Sequence, residues 1–149
     1  MINLKNYFFF LVYILFNPRL ITLLFRNLYI PVFLQYEWLK KYNIRTVIDV
    51  GSYHGHVSKT LNYLFPKAKI YAFEPNFDNY NFIKSKCHLP DLTLSEFALS
   101  DKVGKSILYV HPLSCLSSLL KIEKQNDRFN YFNRKTKKVN IQTTTLDKY

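Results

Sequence analysis

Thr46-Val47-Ile48-Asp49-Val50-Gly51-Ser52-Tyr53-His54-Gly55 is the stretch on which the fold turns. Its first five residues form a short, largely β-branched run of the kind buried on both faces of a parallel sheet. The strand so predicted ends in an acid, followed by two glycines around a tight bend. Beyond the bend, Val57, Leu61, Leu64 and Phe65 recur at helical spacing until Pro66, which cannot continue a helix, ends the run. Strand, turn and helix make the opening unit of an α/β protein.

Further along, Lys69-Ile70-Tyr71-Ala72-Phe73 predicts a second strand ending at Glu74-Pro75. Asn76 or Asp78 can cap a helix that carries Tyr80, Ile83 and Cys87 and is closed by Pro90. Leu92 to Ala98 reads as a third strand, Ser100 to Gly104 as a turn, Ser106 to Val110 as a fourth extended piece and Val139 to Thr145 as another. Strands alternating with helices imply right-handed crossovers and a parallel sheet, with ligands bound beyond the carboxyl ends of the strands. The search for chemistry narrows to three strand ends. There are no internal repeats and no low-complexity tract.

In the other direction, residues 1–44 are apolar with scattered cations, in three runs: Tyr7 to Phe16, Leu20 to Phe25 and Leu28 to Leu34. Asn17, Pro18, Arg19, Arg26 and Pro31 interrupt them, so no stretch reaches the roughly 20 apolar residues of a spanning helix. A signal peptide would fit Lys5 and the apolar run after it, but Phe16-Asn17-Pro18-Arg19 lacks the small residues of a cleavage site. The expectation is apolar N-terminal helices packed on the domain. The alternative is association of residues 1–34 with a membrane surface, cations near the head groups. The expected organisation is an apolar helical segment over 1–44 and a cofactor-binding domain over 45–149.

The chain has 149 residues, 48% of them apolar and 17% aromatic, which suffices for the core of one domain. A formal charge of +11 implies a surface that attracts anions. Much of the excess lies in 121–138, where Lys121, Lys124, Arg128, Arg134, Lys135, Lys137 and Lys138 outnumber Glu123 and Asp127. Such a run is first a solvated loop, and second a contact for RNA or anionic lipid. Cys87 and Cys115 have neither zinc nor disulfide-framework spacing, so a reducing cytoplasm is the expected setting, with a peripheral place at the membrane open to residues 1–34.

The candidate site is built on the first two strand ends. At Gly51 and Gly55 the missing side chain permits backbone angles closed to other residues and lets the main chain approach a ligand. Glu74 lies where folds of this type hold the paired hydroxyls of a ribose with a carboxylate. A dinucleotide fingerprint needs glycine where the pyrophosphate approaches, and Tyr53 stands there. S-adenosylmethionine has no phosphate and brings cationic groups, which an acid such as Asp49 suits. D-x-G-x-x-x-G with a later strand-end acid therefore favours the methyl donor. A nicotinamide-dependent enzyme is a rival reading.

Val47-Ile48-Asp49-Val50-Gly51-Ser52-Tyr53-His54-Gly55, Ala72-Phe73-Glu74-Pro75-Asn76, Ala98-Leu99-Ser100-Asp101 with Gly104, and Thr143-Thr144-Thr145-Leu146-Asp147 together resemble the FkbM-type methyltransferases in order and spacing. The resemblance covers residues 45–149. It implies a Rossmann-like class I methyltransferase sheet, an S-adenosyl-L-methionine cofactor, and O-methylation of a hydroxyl on a sugar, glycan or metabolite. Asp49, Gly51, Ser52, Tyr53 and Gly55 are then cofactor-binding at its methionine end, Glu74 binds the ribose, and Phe97 and Ala98 lie near the adenine. Ser52 and Tyr53 depart from the Ala-Asn common in members. No residue is assigned a catalytic role. The implied partner is a small-molecule or glycan acceptor, with nucleic acid disfavoured.

Relatives continue past the Thr-Leu-Asp segment with a further strand carrying Asp-x-Glu-Gly, so the sheet is expected to be incomplete at Tyr149. Val47, Ile48 and Val50 would then sit on an open edge, and the isolated chain is expected to be poorly soluble with little or no turnover. The main competitor from another class is a non-catalytic binding module that contacts RNA or anionic lipid through 121–138. His54 and His56 have H-x-H spacing but no further ligand is evident, and Ser117-Ser118 with His111 lacks a G-x-S-x-G elbow. Asp49 as a mere cap and Glu74 as a surface acid are the bland readings of the two carboxylates.

Overall fold

The computed structural model describes residue 12 and residues 16–112, 114–120 and 136–149. The apolar residues Tyr7 to Phe10 and most of the basic block, 121–135, lie outside the described residues. Helices α1 (Pro18–Phe25) and α2 (Ile30–Tyr36) come first, each with a proline in its opening turn, where a missing N–H breaks no bond. A 3-10 turn, Glu37–Lys41, leads to strand β1 (Thr46–Val50). Then follow α3 (His56–Leu64), β2 (Lys69–Phe73), α4 (Phe77–Lys86) and β3 (Leu92–Ser95). Asn76 is the cap of α4: its side-chain oxygen accepts from the Asp78 N–H at 3.0 Å. Asp78 in the first turn and Lys84 and Lys86 in the last complement the helix dipole.

β1, β2 and β3 form a parallel sheet in that order, with Asp49 beside Ala72 and Val50 beside Phe73. The main core lies between this sheet and the helices. Leu20, Leu23, Leu28, Ile30, Val32 and Phe33 of the N-terminal segment share one buried cluster with Leu61, Leu64, Phe65 and Ala68. The Tyr29 N–H also donates to Thr60 Oγ1 on α3 at 2.9 Å. No helix among the described residues is long and apolar enough to cross a membrane.

The continuous strand expected over 92–98 is broken in two, and the expected single parallel sheet becomes two. β3 stops at Ser95, whose carbonyl accepts from the Glu74 N–H at 2.9 Å. Glu96 and Phe97 then carry the chain across to β4 (Ala98–Leu99) in a second sheet with β5 (Gly104–Val110) and β6 (Lys137–Thr144), ordered β4-β6-β5. β6 runs parallel to β4 but antiparallel to β5, from Gly104 opposite Thr143 to Val110 opposite Lys137. The physical reason is that the short link between β4 and β5 reverses the chain, so β6, which lies between them, is parallel to one and antiparallel to the other. Ala98, Leu108 and Ile141 form this sheet's small core.

Among the described residues β1 pairs on one side only. Ile48 and Val50 are 41% and 60% exposed, whereas Val47, on the alternate face, packs against the main core. Among the described residues β1 is thus the open edge that the sequence led one to expect, with Ile48 and Val50 on its exposed face and Val47 on the covered one. At the other end of the chain the Tyr149 ring stands edge-on to Phe73, with centroids 4.6 Å apart.

Candidate functional site

The turn after β1 is shaped by alternate residues in the left-handed region: Gly51 (φ 78°), Tyr53 (φ 53°) and Gly55 (φ 75°). The N–H groups of Gly51 and Ser52 both donate to the Phe73 carbonyl, at 2.8 and 3.1 Å, which ties the turn to the end of β2. Ser52 is buried, and its hydroxyl donates back to the Asp49 carbonyl at 3.0 Å. The Gly55 N–H donates to the Ser52 carbonyl at 2.7 Å, which closes the bend before α3 begins.

Tyr53 is the strained member, since only glycine enters the left-handed region freely. Its N–H donates to Glu74 Oε2 at 2.7 Å, a charge-assisted bond of the kind that can hold such a conformation. The Asn76 N–H donates to Glu74 Oε1 at 2.9 Å and the Asn79 side-chain amide to the same oxygen at 3.4 Å. An ionised carboxylate has about four acceptor positions. Glu74 thus fastens the turn to the β2–α4 connection with three donors and keeps acceptor capacity for a ligand hydroxyl.

Asp49 is on the face of β1 that α3 covers, and Ser58 of that helix donates its hydroxyl to Asp49 Oδ2 at 2.5 Å. Burial pushes the Asp49 carboxyl above the usual range, and the bonds from Ser58 pull it partly back. Burial also raises Glu74, the three donors lower it, and the negative charge of Asp49 raises it again. The two acids therefore share one electrostatic neighbourhood at adjacent strand ends, rather than being a lone cap and a lone surface group. An acid whose folded-state pKa is raised stabilises the fold below its unfolded pKa and loses that contribution as pH rises through the folded value. Folding stability is expected to decline from about pH 4 upward through both raised values. Urea unfolding across that window checks this, and Glu74→Gln should remove part of the slope.

The two glycines have different surroundings. A Cβ added at Gly51 would meet nothing within 4 Å, so the space beside it is open. A Cβ at Gly55 would lie 3.1 Å from Cys87 Sγ and close to Ile83, so there glycine also permits α3 to start against α4. Beside the turn, His54 is stacked between two rings: its centroid is 3.8 Å from Tyr53 and 4.2 Å from Phe82. Burial and the neighbouring His56 lower the His54 pKa, which favours the neutral ring.

Asp49, Gly51, Ser52, Tyr53, Gly55 and Glu74 are thus brought together. Phe97 is half-buried in the link between β3 and β4, and Ala98 belongs to the core of the second sheet. Asn76 also lines a groove of about 580 Å³ whose other wall is Leu108, Val110, His111 and Val139 of the second sheet and its exit. Ser58, Asn79 and Phe82 escaped the reading of the sequence. Each reaches the site from a helix face through tertiary packing, and no local spacing marks it.

A parallel α/β sheet with a glycine turn and a buried acid at adjacent strand ends defines the class. The family model for the methyltransferase FkbM domain matches residues 49–149, more than half of the chain. The chain belongs to the FkbM methyltransferase family. No curated protein and no solved structure matches the chain.

Proposed function

We propose that the chain binds S-adenosylmethionine across the ends of β1 and β2 and serves transfer of its methyl group to a hydroxyl of a sugar, glycan or metabolite. The observation that carries this reading is the buried Glu74 carboxylate, held between the Tyr53 and Asn76 N–H groups with acceptor capacity to spare. A carboxylate so fixed suits a ribose diol, whose two hydroxyls are donors.

Two further features support a cationic nucleoside. Among the described residues neither Asp49 nor Glu74 has a cationic side chain within ion-pair distance, and burial raises both acids. A ligand carrying an ammonium and a sulfonium offsets that cost; a diphosphate adds to it. The open space at Gly51 admits a ligand to the backbone, and Tyr53, which stands where a dinucleotide fingerprint has glycine, disfavours a pyrophosphate. The cofactor, when bound, supplies a methyl group on a good leaving group. What the chain contributes is alignment: Glu74 and the turn fix the position of the nucleoside, and α3 and α4 keep water from the acids.

Titration calorimetry with S-adenosylhomocysteine and with NAD tests the assignment. S-adenosylhomocysteine is expected to bind and NAD to give no heat. Binding of NAD alone, or of neither compound by folded protein, would overturn it.

A further inference from the structure

Three cations converge on one pair of rings at the N-terminal end of the molecule. Phe33 and Tyr63 have centroids 6.2 Å apart. Arg19 lies 5.2 Å from the Phe33 centroid, Arg26 lies 5.3 Å from that of Tyr63, and Lys40 is near both, at 5.4 and 5.7 Å. Lys41, next in sequence, sits over Trp38 and Tyr42, at 5.5 and 5.1 Å. Between residues 16 and 42 the only acid is Glu37, paired with Arg19 at 3.2 Å. One carboxylate against Arg19, Arg26, Lys40 and Lys41 leaves the cluster positively charged, which attracts an anion.

Large apolar side chains stand in water around the same cations. Leu24 and Phe25 project from the end of α1 immediately before Arg26, with Phe25 88% exposed, and Phe16, Tyr29, Trp38 and Tyr42 are also exposed. These are not surplus core residues: Leu20, Leu23 and Phe33 of the same helices fill the core while Leu24 and Phe25 are left outside. Aromatic and aliphatic tips beside Arg and Lys match the two layers of a membrane interface, apolar at the acyl boundary and anionic at the head groups.

We propose that residues 16–42 form a docking surface for a bilayer containing anionic lipid, with Arg19, Arg26, Lys40 and Lys41 on lipid phosphates and Phe16, Leu24, Phe25 and Trp38 entering the interface. Charge complementarity selects this occupant. A second copy of the chain would bring two cationic clusters together on molecules of charge +11. The inference is independent of the cofactor assignment.

The test is flotation of the full chain with vesicles of phosphatidylcholine alone, and with about one-third phosphatidylglycerol added. Binding is expected only to the second and is expected to weaken as salt rises. Arg26→Gln and Lys40→Gln should each weaken it about fivefold. Phe25→Ser should weaken it at least about tenfold, by loss of one buried aromatic ring. Phe25, Arg26 and Lys40 are exposed and Arg26 and Lys40 lose only cation–π contacts, so all three variants should still unfold cooperatively within about 10 °C of the parent, which separates loss of docking from loss of fold. Equal binding to both vesicles, parent-like binding by the variants, or light-scattering mass of a dimer abolished by the same substitutions would overturn the proposal.

Discussion

Glu74→Ala is expected to lose both fold stability and all measurable binding of S-adenosylhomocysteine. The side chain accepts from two backbone N–H groups, Tyr53 and Asn76, and from the Asn79 amide. Alanine leaves all three without that acceptor, and each unsatisfied buried donor costs about 1–3 kcal/mol. Relief of the buried carboxylate returns part of this, so the net loss is about 2–4 kcal/mol. Binding suffers separately, because Tyr53 loses the bond at its N–H that holds its left-handed angle and the proposed ribose acceptor is gone. Glu74→Gln distinguishes the two roles. It keeps one oxygen for a backbone donor and should cost only about 1–2 kcal/mol, yet it turns an NH₂ group toward another donor and should weaken the ligand about tenfold or more. Urea unfolding and calorimetry on both variants read the two effects apart. If the alanine variant matched the parent in stability and affinity, Glu74 would be neither the fastening of the turn nor the ribose acceptor.

The second large effect is a contrast between the glycines. Gly55→Ala combines a left-handed backbone with a contact at 3.1 Å to Cys87 Sγ, and is expected to destabilise by about 2–3 kcal/mol. Gly51→Ala incurs only the backbone cost, about 1–2 kcal/mol, because its new methyl meets open space. The proposed ligand enters that open space, so Gly51→Ala is expected to weaken S-adenosylhomocysteine binding by about tenfold or more, and more than its stability loss accounts for. Adding Cys87→Ala to Gly55→Ala should recover the steric part and leave the backbone part. Equal effects of the two glycine substitutions on affinity and on stability would show that the open space at Gly51 has no bearing on binding.

The elements around the turn were legible because their signals are local. β1 and β2 fall on the residues that the β-branched and aromatic runs mark, α3 gives out at Leu64, just ahead of Pro66, and Asn76 is the cap of α4. The break after Ser95 was not legible. Residues 92–98 hold enough apolar residues for one strand, and what divides them is the pairing of Ala98 with Thr143, far away in sequence, in the other sheet. The antiparallel course of β6 was hidden for the same reason: its partner is set by how the chain returns between β4 and β5, and periodicity carries no record of that. In the site, residue types and spacing pointed to Asp49, Glu74 and the glycines. They did not disclose that Gly55 also clears Cys87, that Ser58 bonds Asp49, or that Glu74 fastens Tyr53.

β1 has one further consequence. The burial that raises Asp49 comes from the α3 side of the strand, where Ser58 pulls it partly back, while Ile48 and Val50 look the other way into solvent. Acidity and surface character along this strand are therefore separable design variables. Polar replacements at the two outward positions can improve handling of the polypeptide while the proton affinity of its buried neighbour stays as it was.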